Sequence, residues 1–498
     1  MNFGKWTLFE NKRDSGMAES NRPPETGKMT LLNVPADFGS RFFLVLLGTI
    51  LPVGIFLAVK AELFGIYALA AIIGIFFASM SIIFPKVWAY STILLLPLYL
   101  ISRDTDVNPM EIVVYSYLFS GIMLWFISEV FIHRRKVVYN FGDFCIILFL
   151  VFAFFNIIIA LLNNTELLAW FKEYTVYCLY LLYFPYRKFF RTDDDVRKVI
   201  TCLALSLIII SLYQLYHFKT LIVMATFAYE LQSTLRINLT LLSFGAVLAI
   251  LSIFRYKGKF FKIYMLLLAI LCAGIVTTSF ARTTWIIELG LIGAILFILN
   301  RRQKIVALTI AGISALAIVI TLVSMLSNFD VYLGMLNKKF LSTGDGKKDP
   351  SVRARIVEYS SVWKSIEQNP ISGNGIGKKF AHKNILANGN PVMRKSFIHN
   401  SFLQLWYCLG IPTAIPIVLF LLFYYLKSIM LTFFHGRKPN IAYCFYQFLA
   451  FSGLTIALSH AMVSPQLVAK ETIILIVFSC WLCNLAMKKE TTMPLLKS

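Results

Sequence analysis

Residues 399–426 read HNSFLQLWYCLGIPTAIPIVLFLLFYYL, and residues 401–426 include no charged side chain. About 20 apolar residues in a helix cross the hydrocarbon core of a bilayer, and only helices and closed barrels satisfy the backbone there. A continuous apolar run of this length therefore predicts a transmembrane helix over residues 401–425 and excludes a barrel.

The whole chain has the composition of a polytopic membrane protein. Of its 498 residues, 58% are hydrophobic and 14% are charged, and the mean hydropathy is +0.73. This is too apolar for a water-soluble protein of ordinary domain size. Because similar apolar runs recur, we predict an all-α, polytopic membrane protein with about 12–14 transmembrane helices. The range reflects two short candidate spans, near residues 87–101 and 168–184.

Short clusters of basic residues between the apolar runs orient the spans. If the spans alternate, one side receives HRRK (133–136), YRKFFRTDDDVRK (186–198), FRYKGKFFK (254–262), NRRQK (300–304), HGRK (435–438) and KK (488–489). Cytoplasmic loops carry an excess of Lys and Arg, so this side is predicted to be cytoplasmic. The net charge of +22 is thus a property of the loops. Clusters of this kind favour membrane topology over a nucleic-acid partner.

The predicted organisation has five parts. They are a polar cytoplasmic tail without signal-peptide features (1–40), a first block of transmembrane helices (41–326), a large external loop (327–398), the C-terminal transmembrane helices (399–487) and a cytoplasmic tail (488–498).

The large external loop is basic and is predicted to contain one amphipathic helix. It has 12 Lys or Arg residues against 5 acidic ones, a balance that fits either an anionic ligand or a solvated loop against anionic lipid headgroups. Apolar residues recur every three or four positions within 351–370, which predicts a helix on the membrane surface that ends at Pro370. SGNGIG (372–377) follows and predicts a turn, because a phosphate-binding loop has a preceding strand and a following Lys-Ser/Thr.

His399 is the candidate base. It lies at the N-terminus of an apolar helix, where the helix dipole and nearby arginines disfavour the imidazolium ion and leave a neutral ring that can accept a proton. The simpler interpretation is a histidine that is hydrogen-bonded at the interface. Asn400 and Gln404 form an adjacent polar pair at i, i+4 and are candidates for a supporting role.

Four arginines are predicted at the same external surface: Arg236, Arg282, Arg353 and Arg355. Each one alone is explained by an interfacial anchor whose side chain reaches the headgroups. Several guanidinium groups at one depth suit a diphosphate, because the planar fork pairs with phosphate oxygens and keeps its charge when buried. Such a site requires the arginines to meet in space.

Other polar residues are weaker candidates. Glu288, six residues beyond Arg282, is predicted to pair with a basic partner, and His460 lies near the outer end of its span. No cluster has metal-ligand spacing, so no metal or cofactor is predicted. All eight cysteines fall in apolar segments and are predicted to be packing residues without disulfides.

Three features together resemble the O-antigen ligase and O-antigen polymerase superfamily. They are the loop with its arginine-rich helix, the segment NPISGNGIG (369–377), and HNSFLQLWYCLGIP (399–412) at the next span. Members of the family end this loop with a similar Pro-x-x-Gly-x-Gly turn followed by His-Asn-x-x-Leu-Gln. The segment SFAR (279–282) also resembles the family's Ser-Arg element at the head of a span. The resemblance covers about residues 235–465.

The resemblance implies a membrane glycosyltransferase of O-antigen, capsule or exopolysaccharide biosynthesis. It would act in the bacterial cytoplasmic (inner) membrane with its active site facing the periplasm. The donor would be a glycan on undecaprenyl diphosphate, the acceptor a glycan or the lipid A core of lipopolysaccharide, and no metal would be needed.

The resemblance also implies roles for individual residues. His399 would be the general base, and Arg236 and Arg355 match the family's diphosphate-binding positions, with Arg353 able to substitute for Arg355. A base on one face of the sugar and the diphosphate on the other predict inversion at the anomeric carbon. Many relatives have an acidic residue two positions before Gly410, where this chain has Cys408, so Glu288 or no residue would replace that carboxylate.

Two alternatives stay open. Ligase and polymerase share the donor and differ in the acceptor, which the sequence does not distinguish. A transporter of an anionic solute or lipid is the alternative from another class. It predicts broken helices and polar residues near the membrane midplane, whereas the polar residues above lie mainly at external helix ends.

Overall fold

The structure is a computed structural model that describes residues 83–100, 109–224, 236–279, 281–309, 311–312, 316, 350–383, 392–395, 397–434 and 441–492. Within these residues, six helices are long and apolar enough to cross a membrane, which confirms the predicted all-α polytopic membrane class. The N-terminal tail, nearly all of the two predicted spans before residue 85, the first part of the external loop and residues 493–498 lie outside the described residues, while residues 488–492 of the predicted C-terminal tail are helical.

The first block contains helices of unequal length. They are α1 (Pro85–Leu94), α2 (Leu96–Leu100), α3 (Pro109–Phe126, continued by a π-helix at Ile127–Ile132), α4 (Phe141–Leu162), α5 (Leu167–Cys178, continued by a 3₁₀ turn at Leu179–Leu182), α6 (Tyr183–Phe189), α7 (Asp193–Met224), α8 (Leu239–Arg255), α9 (Lys259–Thr278) and α10 (Arg282–Ile298). Residues 301–309 are also helical.

The remaining elements include a short hairpin within the external loop. They are α11 (Pro350–Gln368), β1 (Phe380–Lys383), β2 (Val392–Lys395), α12 (Ser401–Phe433), α13 (Ile441–Ala461), a 3₁₀ turn at Gln466–Val468, and α14 (Lys470–Thr492). The strands β1 and β2 pair antiparallel, with Phe380 opposite Lys395.

Helix α14 forms the centre of the bundle. Ile473–Cys483 is a continuous buried stretch, and α8, α12 and α13 pack around this helix. Helix α4 packs against α12, and α9 packs against α8. Cys480 and Cys483 are buried free thiols, and all eight cysteines are free, as predicted for packing residues.

Helix α8 runs between two chemically different ends of the bundle. At about 1.5 Å per residue, its 17 residues separate the ends by about 25 Å. The basic end comprises residues 129–143, 187–195, 255 and 484–489. Here three of the six predicted basic clusters, 186–198, 254–262 and 488–489, form the ion pairs Arg187–Asp143, Lys188–Glu129, Arg255–Asp193 and Lys489–Asp193, while HGRK (435–438) lies outside the described residues. The loop end comprises residues 236–238, 279–284, α11, residues 397–401 and residues 460–468.

Candidate functional site

His399 is held against a carboxylate from α11 at the loop end. Its Nδ1 lies 2.9 Å from Oε2 and 3.1 Å from Oε1 of Glu358, and its backbone N–H donates to Glu358 Oε1 at 2.7 Å. The Tyr359 hydroxyl donates to the His399 carbonyl oxygen at 2.7 Å. One turn of α11 therefore fixes both the backbone and the ring of His399.

Within the described residues, the second ring nitrogen of His399, Nε2, has no hydrogen-bond partner. Because a carboxylate only accepts, Nδ1 carries the hydrogen and Nε2 carries the lone pair in the neutral ring. The histidine side chain keeps 31% of its surface exposed, while Glu358 beneath it is buried. A carboxylate in this position also stabilises the imidazolium that forms when Nε2 accepts a proton. The arrangement is that of an oriented general base.

Glu358 stays ionised in this setting. Burial by itself raises the pKa of a carboxyl, but the hydrogen bonds from His399 and the charge of Lys395 outweigh burial and hold the pKa of Glu358 below its ordinary value. The Lys395 ammonium on β2 lies 4.0 Å from Glu358 Oε2. The hairpin thus contributes one cation to the Glu358–His399 pair.

Asn400 and Gln404 position the backbone around His399. The Asn400 side chain caps α12 by accepting from the N–H groups of Phe402 and Leu403, both at 3.0 Å. The Gln404 side-chain oxygen accepts from the Ile398 N–H at 3.0 Å. Both members of the predicted polar pair therefore hold the turn that carries the imidazole.

His460 belongs to the same end through a chain of hydrogen bonds. Its Nε2 lies 3.3 Å from the Thr284 hydroxyl, two residues after Arg282. The turn that follows α13 bonds to the start of α12, because the Ser401 hydroxyl donates to the Ser464 carbonyl oxygen at 2.8 Å. His460 is buried and acts as a bridge between α10 and α13.

Arg236 and Arg355 lie near each other at this end of the bundle, and Arg282 begins the helix that follows the turn at Ser279. Arg236 Nε donates to the Ser279 carbonyl oxygen at 3.3 Å, which brings it to the turn three residues before Arg282. Burial is the larger cause that lowers the pKa of Arg236 below its ordinary value, and the positive charge of Arg355 is the smaller one. Burial raises the pKa of the Tyr359 hydroxyl, and the same Arg355 charge opposes that shift. Arg355 is therefore close enough to act on both Arg236 and Tyr359.

Arg353 and Glu288 lie apart from this group. Two residues along a helix correspond to a rotation of about 200°, so Arg353 and Arg355 point to nearly opposite sides of α11. Arg353 is exposed. The Oε1 atom of Glu288 is buried, its carboxyl group lies beside Ser243 of α8, and within the described residues Glu288 has no ion pair. Its predicted basic partner is not among those residues.

The glycine-rich turn after α11 packs into a break in α12. Gly410 has φ 71° and ψ 174°, which interrupts the helix, and Pro412 has no N–H to offer the Cys408 carbonyl. Asn374 N–H donates to the Tyr407 carbonyl at 2.7 Å, and Gly375 N–H donates to the Cys408 carbonyl at 2.9 Å. The turn therefore supplies the donors that the broken helix lacks, in agreement with its prediction as a turn.

Close backbone approach explains why glycine is needed at this contact. A Cβ on Gly373 would lie 2.5 Å from the Gly410 nitrogen, and a Cβ on Gly410 would lie 1.9 Å from the Ile371 oxygen. Both residues also have positive φ, which side-chain-bearing residues rarely adopt. The backbone of the glycine-rich turn thus packs directly against the break in α12.

Residues 267–418 match the family model described as O-antigen ligase. This match, over less than half of the chain, supports the superfamily predicted from the sequence. No match was found among curated proteins. The O-antigen ligase region spans α9 to the first half of α12 and includes Arg282, Arg355, Glu358 and His399.

Sequence reasoning missed two features of the O-antigen ligase region. Glu358 was not predicted as the partner of His399, although it precedes the buried Val362 by one helical turn and so lies on the inner face of α11. The break at Gly410 was not predicted either, although Gly410 and Pro412 were its signal.

Proposed function

We propose that the protein transfers a glycan from an undecaprenyl diphosphate carrier to an acceptor hydroxyl at the outer face of a bacterial inner membrane. The observation that carries this proposal is the Glu358–His399 pair, which leaves Nε2 open at the same end of the bundle as Arg236, Arg282 and Arg355. The basic end would then face the cytoplasm, in line with the positive-inside rule.

In the proposed reaction, His399 Nε2 takes the proton from the acceptor hydroxyl as its oxygen attacks the anomeric carbon. The oxygen–carbon bond forms while the bond from that carbon to the diphosphate oxygen breaks. Glu358 keeps Nδ1 protonated and stabilises the imidazolium product of the proton transfer.

The arginines have the complementary task of holding the leaving group. The diphosphate gains negative charge as it departs, and preorganised guanidinium groups stabilise that charge without a metal. The positive charge of Arg355 contributes to the lowered pKa of Arg236, so a dianion between the two guanidinium groups would offset their repulsion. We assign this role to Arg236, Arg282 and Arg355 and not to Arg353, which lies on the other side of α11.

Attack from the base side and departure toward the arginines place nucleophile and leaving group on opposite faces of the sugar. We therefore expect inversion at the anomeric carbon. The anomeric configuration of the product, compared with that of the donor by NMR, tests this point, and retention would contradict it.

The base assignment is tested by His399→Ala in the full-length protein. We expect the rate of transfer from the lipid-linked donor to fall by about 10³-fold, since a positioned base contributes about 10²–10⁴-fold. The amount of folded protein in the membrane should fall only slightly, because the imidazole is partly exposed and Glu358 keeps Lys395 as a nearby cation. Full activity in this variant would contradict the proposal.

A strain that lacks the protein distinguishes a polymerase from a ligase, which use different acceptors. Loss of a polymerase leaves single repeat units on the carrier, whereas loss of a ligase leaves carrier-bound polymer. The length of the lipid-linked glycan therefore decides between the two.

A further inference from the structure

An open groove of about 420 Å³ lies beside the histidine pair. It is lined by Tyr359, Ser360, Trp363, Lys364, Glu367 and Leu403. Five of these residues belong to α11, and Leu403 lies one turn into α12.

We propose that this groove binds the sugar units of the acceptor glycan. The inference rests on the proposed function, since it assigns a binding site for one of the two substrates of that reaction.

The aromatic part of the groove is suited to a sugar ring. Trp363 is 45% exposed, and Trp406 packs edge-on against it with ring centroids 5.4 Å apart and an interplanar angle of 84°. Trp406 is itself fixed, because its Nε1 donates to the Pro370 carbonyl oxygen at 2.9 Å. A rigidly mounted indole offers a large flat surface at little cost in conformational entropy, and the C–H face of a pyranose can stack on it.

The polar part of the groove offers both kinds of hydrogen-bonding group. Glu367 accepts, Lys364 donates, and the Ser360 hydroxyl does both. Sugar hydroxyls need donors and acceptors together, whereas a prenyl chain would have to desolvate two charged groups. The acidic side chain of Glu367 also disfavours a diphosphate, for which the arginines are the better partners.

The position of the groove connects it to the chemistry. Tyr359 lines the groove and also donates to the His399 carbonyl oxygen. Leu403 lies in the first turn of α12, just beyond the cap formed by Asn400, and is four residues after His399 in the chain. A glycan held there ends beside the base, where its terminal hydroxyl can reach Nε2.

The test compares the two substrates in the purified full-length protein. The acceptor probe is oligosaccharide released by mild acid from the host's own surface polysaccharide, and the donor is the host's lipid-diphosphate-linked glycan. We expect Trp363→Ala to raise the KM for the oligosaccharide by about 5-fold or more and to leave the KM for the donor within about 2-fold.

Two matched variants control this comparison. Trp363→Phe keeps a flat but smaller ring, so it should raise the acceptor KM by less than Trp363→Ala does and leave the donor KM within about 2-fold. Ile356→Ala removes an exposed apolar side chain of the same helix that does not line the groove, and it should change neither constant.

A binding measurement tests the role of the groove independently of the role of His399 as a base. Saturation-transfer difference NMR should detect the oligosaccharide on both the wild-type and the His399→Ala protein, and a much weaker signal on Trp363→Ala. Transfer by the His399→Ala variant would contradict the proposed function and leave this binding result standing.

Three results would overturn the groove assignment itself. They are an unchanged acceptor KM in Trp363→Ala, a rise in the donor KM in place of the acceptor KM, and no binding of the oligosaccharides to the wild-type protein. The second result would indicate that the groove holds the lipid-linked donor.

Discussion

Two buried carboxylates lie at opposite ends of the bundle and have different partners. At the basic end, Asp143 pairs with Arg187 and accepts from the Tyr183 hydroxyl at 2.9 Å and from backbone N–H groups. At the loop end, Glu358 pairs with the imidazole of His399. Asp143 faces a permanent cation inside a closed network, whereas Glu358 faces a group that can gain and lose a proton and whose other nitrogen is open.

The difference separates a structural carboxylate from a functional one. A buried pair whose hydrogen bonds are complete resists change and is costly to break. A buried carboxylate that orients a partly exposed histidine contributes to the reaction when Nε2 of that histidine accepts a proton. Burial and charge alone do not distinguish the two ends, but the partner of each carboxylate does.

The largest effect is expected for Asp143→Ala. The variant leaves the Arg187 charge buried without its partner, which costs about 3–5 kcal/mol of stability. We expect a strong loss of folded protein, measured by thermal unfolding in detergent. Asp194→Ala, at an exposed pair with Lys198, is the control and should change stability by less than about 1 kcal/mol. Normal stability together with lost transfer would mean that Asp143 takes part in the chemistry.

Glu358→Gln should reduce activity much more than stability, whereas Asp143→Ala should mainly reduce stability. The amide keeps the shape of the side chain but no longer orients and stabilises the imidazolium, so we expect transfer per folded molecule to fall by about 100-fold. At neutral pH the unfolding midpoint should fall only slightly below that of the wild type. A variant that unfolds but keeps its specific activity would place Glu358 with Asp143 as a structural residue.

A smaller effect is expected when the arginine fork is replaced by a point charge. Arg355→Lys should weaken donor binding by about 10-fold, because an ammonium group cannot make two parallel bonds to phosphate. Arg353→Lys is the matched variant on the other side of the same helix, and its donor KM should change less. Equal effects of the two changes would argue against the assignment of Arg355.

The smallest effect is the contribution of Glu358 to stability as pH falls. Its pKa in the folded protein lies below the ordinary value, so its pairing stabilises the fold fully above that ordinary value and is lost as pH falls through the lowered pKa. The stability advantage of the wild type over Glu358→Gln should therefore persist at neutral pH and shrink at acidic pH. Unfolding midpoints of the two proteins between pH 7 and pH 3 measure it, and a constant difference would contradict the assignment.

The comparison of the two ends also indicates what sequence can predict. Apolar run length and basic clusters are local properties, and they predicted the helical membrane class and the meeting of three of the clusters at the basic end. The grouping of Arg236, Arg282 and His399 at the other end followed from the alternation of spans. Glu358 could not be predicted as the partner of His399 in this way, because contacts between α11 and the start of α12 depend on how the external loop folds back.

The break in α12 was not predicted from the sequence for the same reason. Pro412 and Gly410 indicate that the helix is weakened, but the donors that take over its freed carbonyls come from a turn more than thirty residues earlier in the chain. The prediction for α11 was partly informative. Val362 and Ile366 are buried against protein, while Ile356 and Trp363 of the same apolar series are exposed.

The most direct test of the account is a double-mutant cycle on the transfer rate with His399→Ala, Glu358→Gln and the combined variant. If Glu358 acts only through His399, the combined variant should be no slower than His399→Ala alone. If the two losses multiply instead, Glu358 acts independently of the histidine, and the oriented-base account of this site is contradicted.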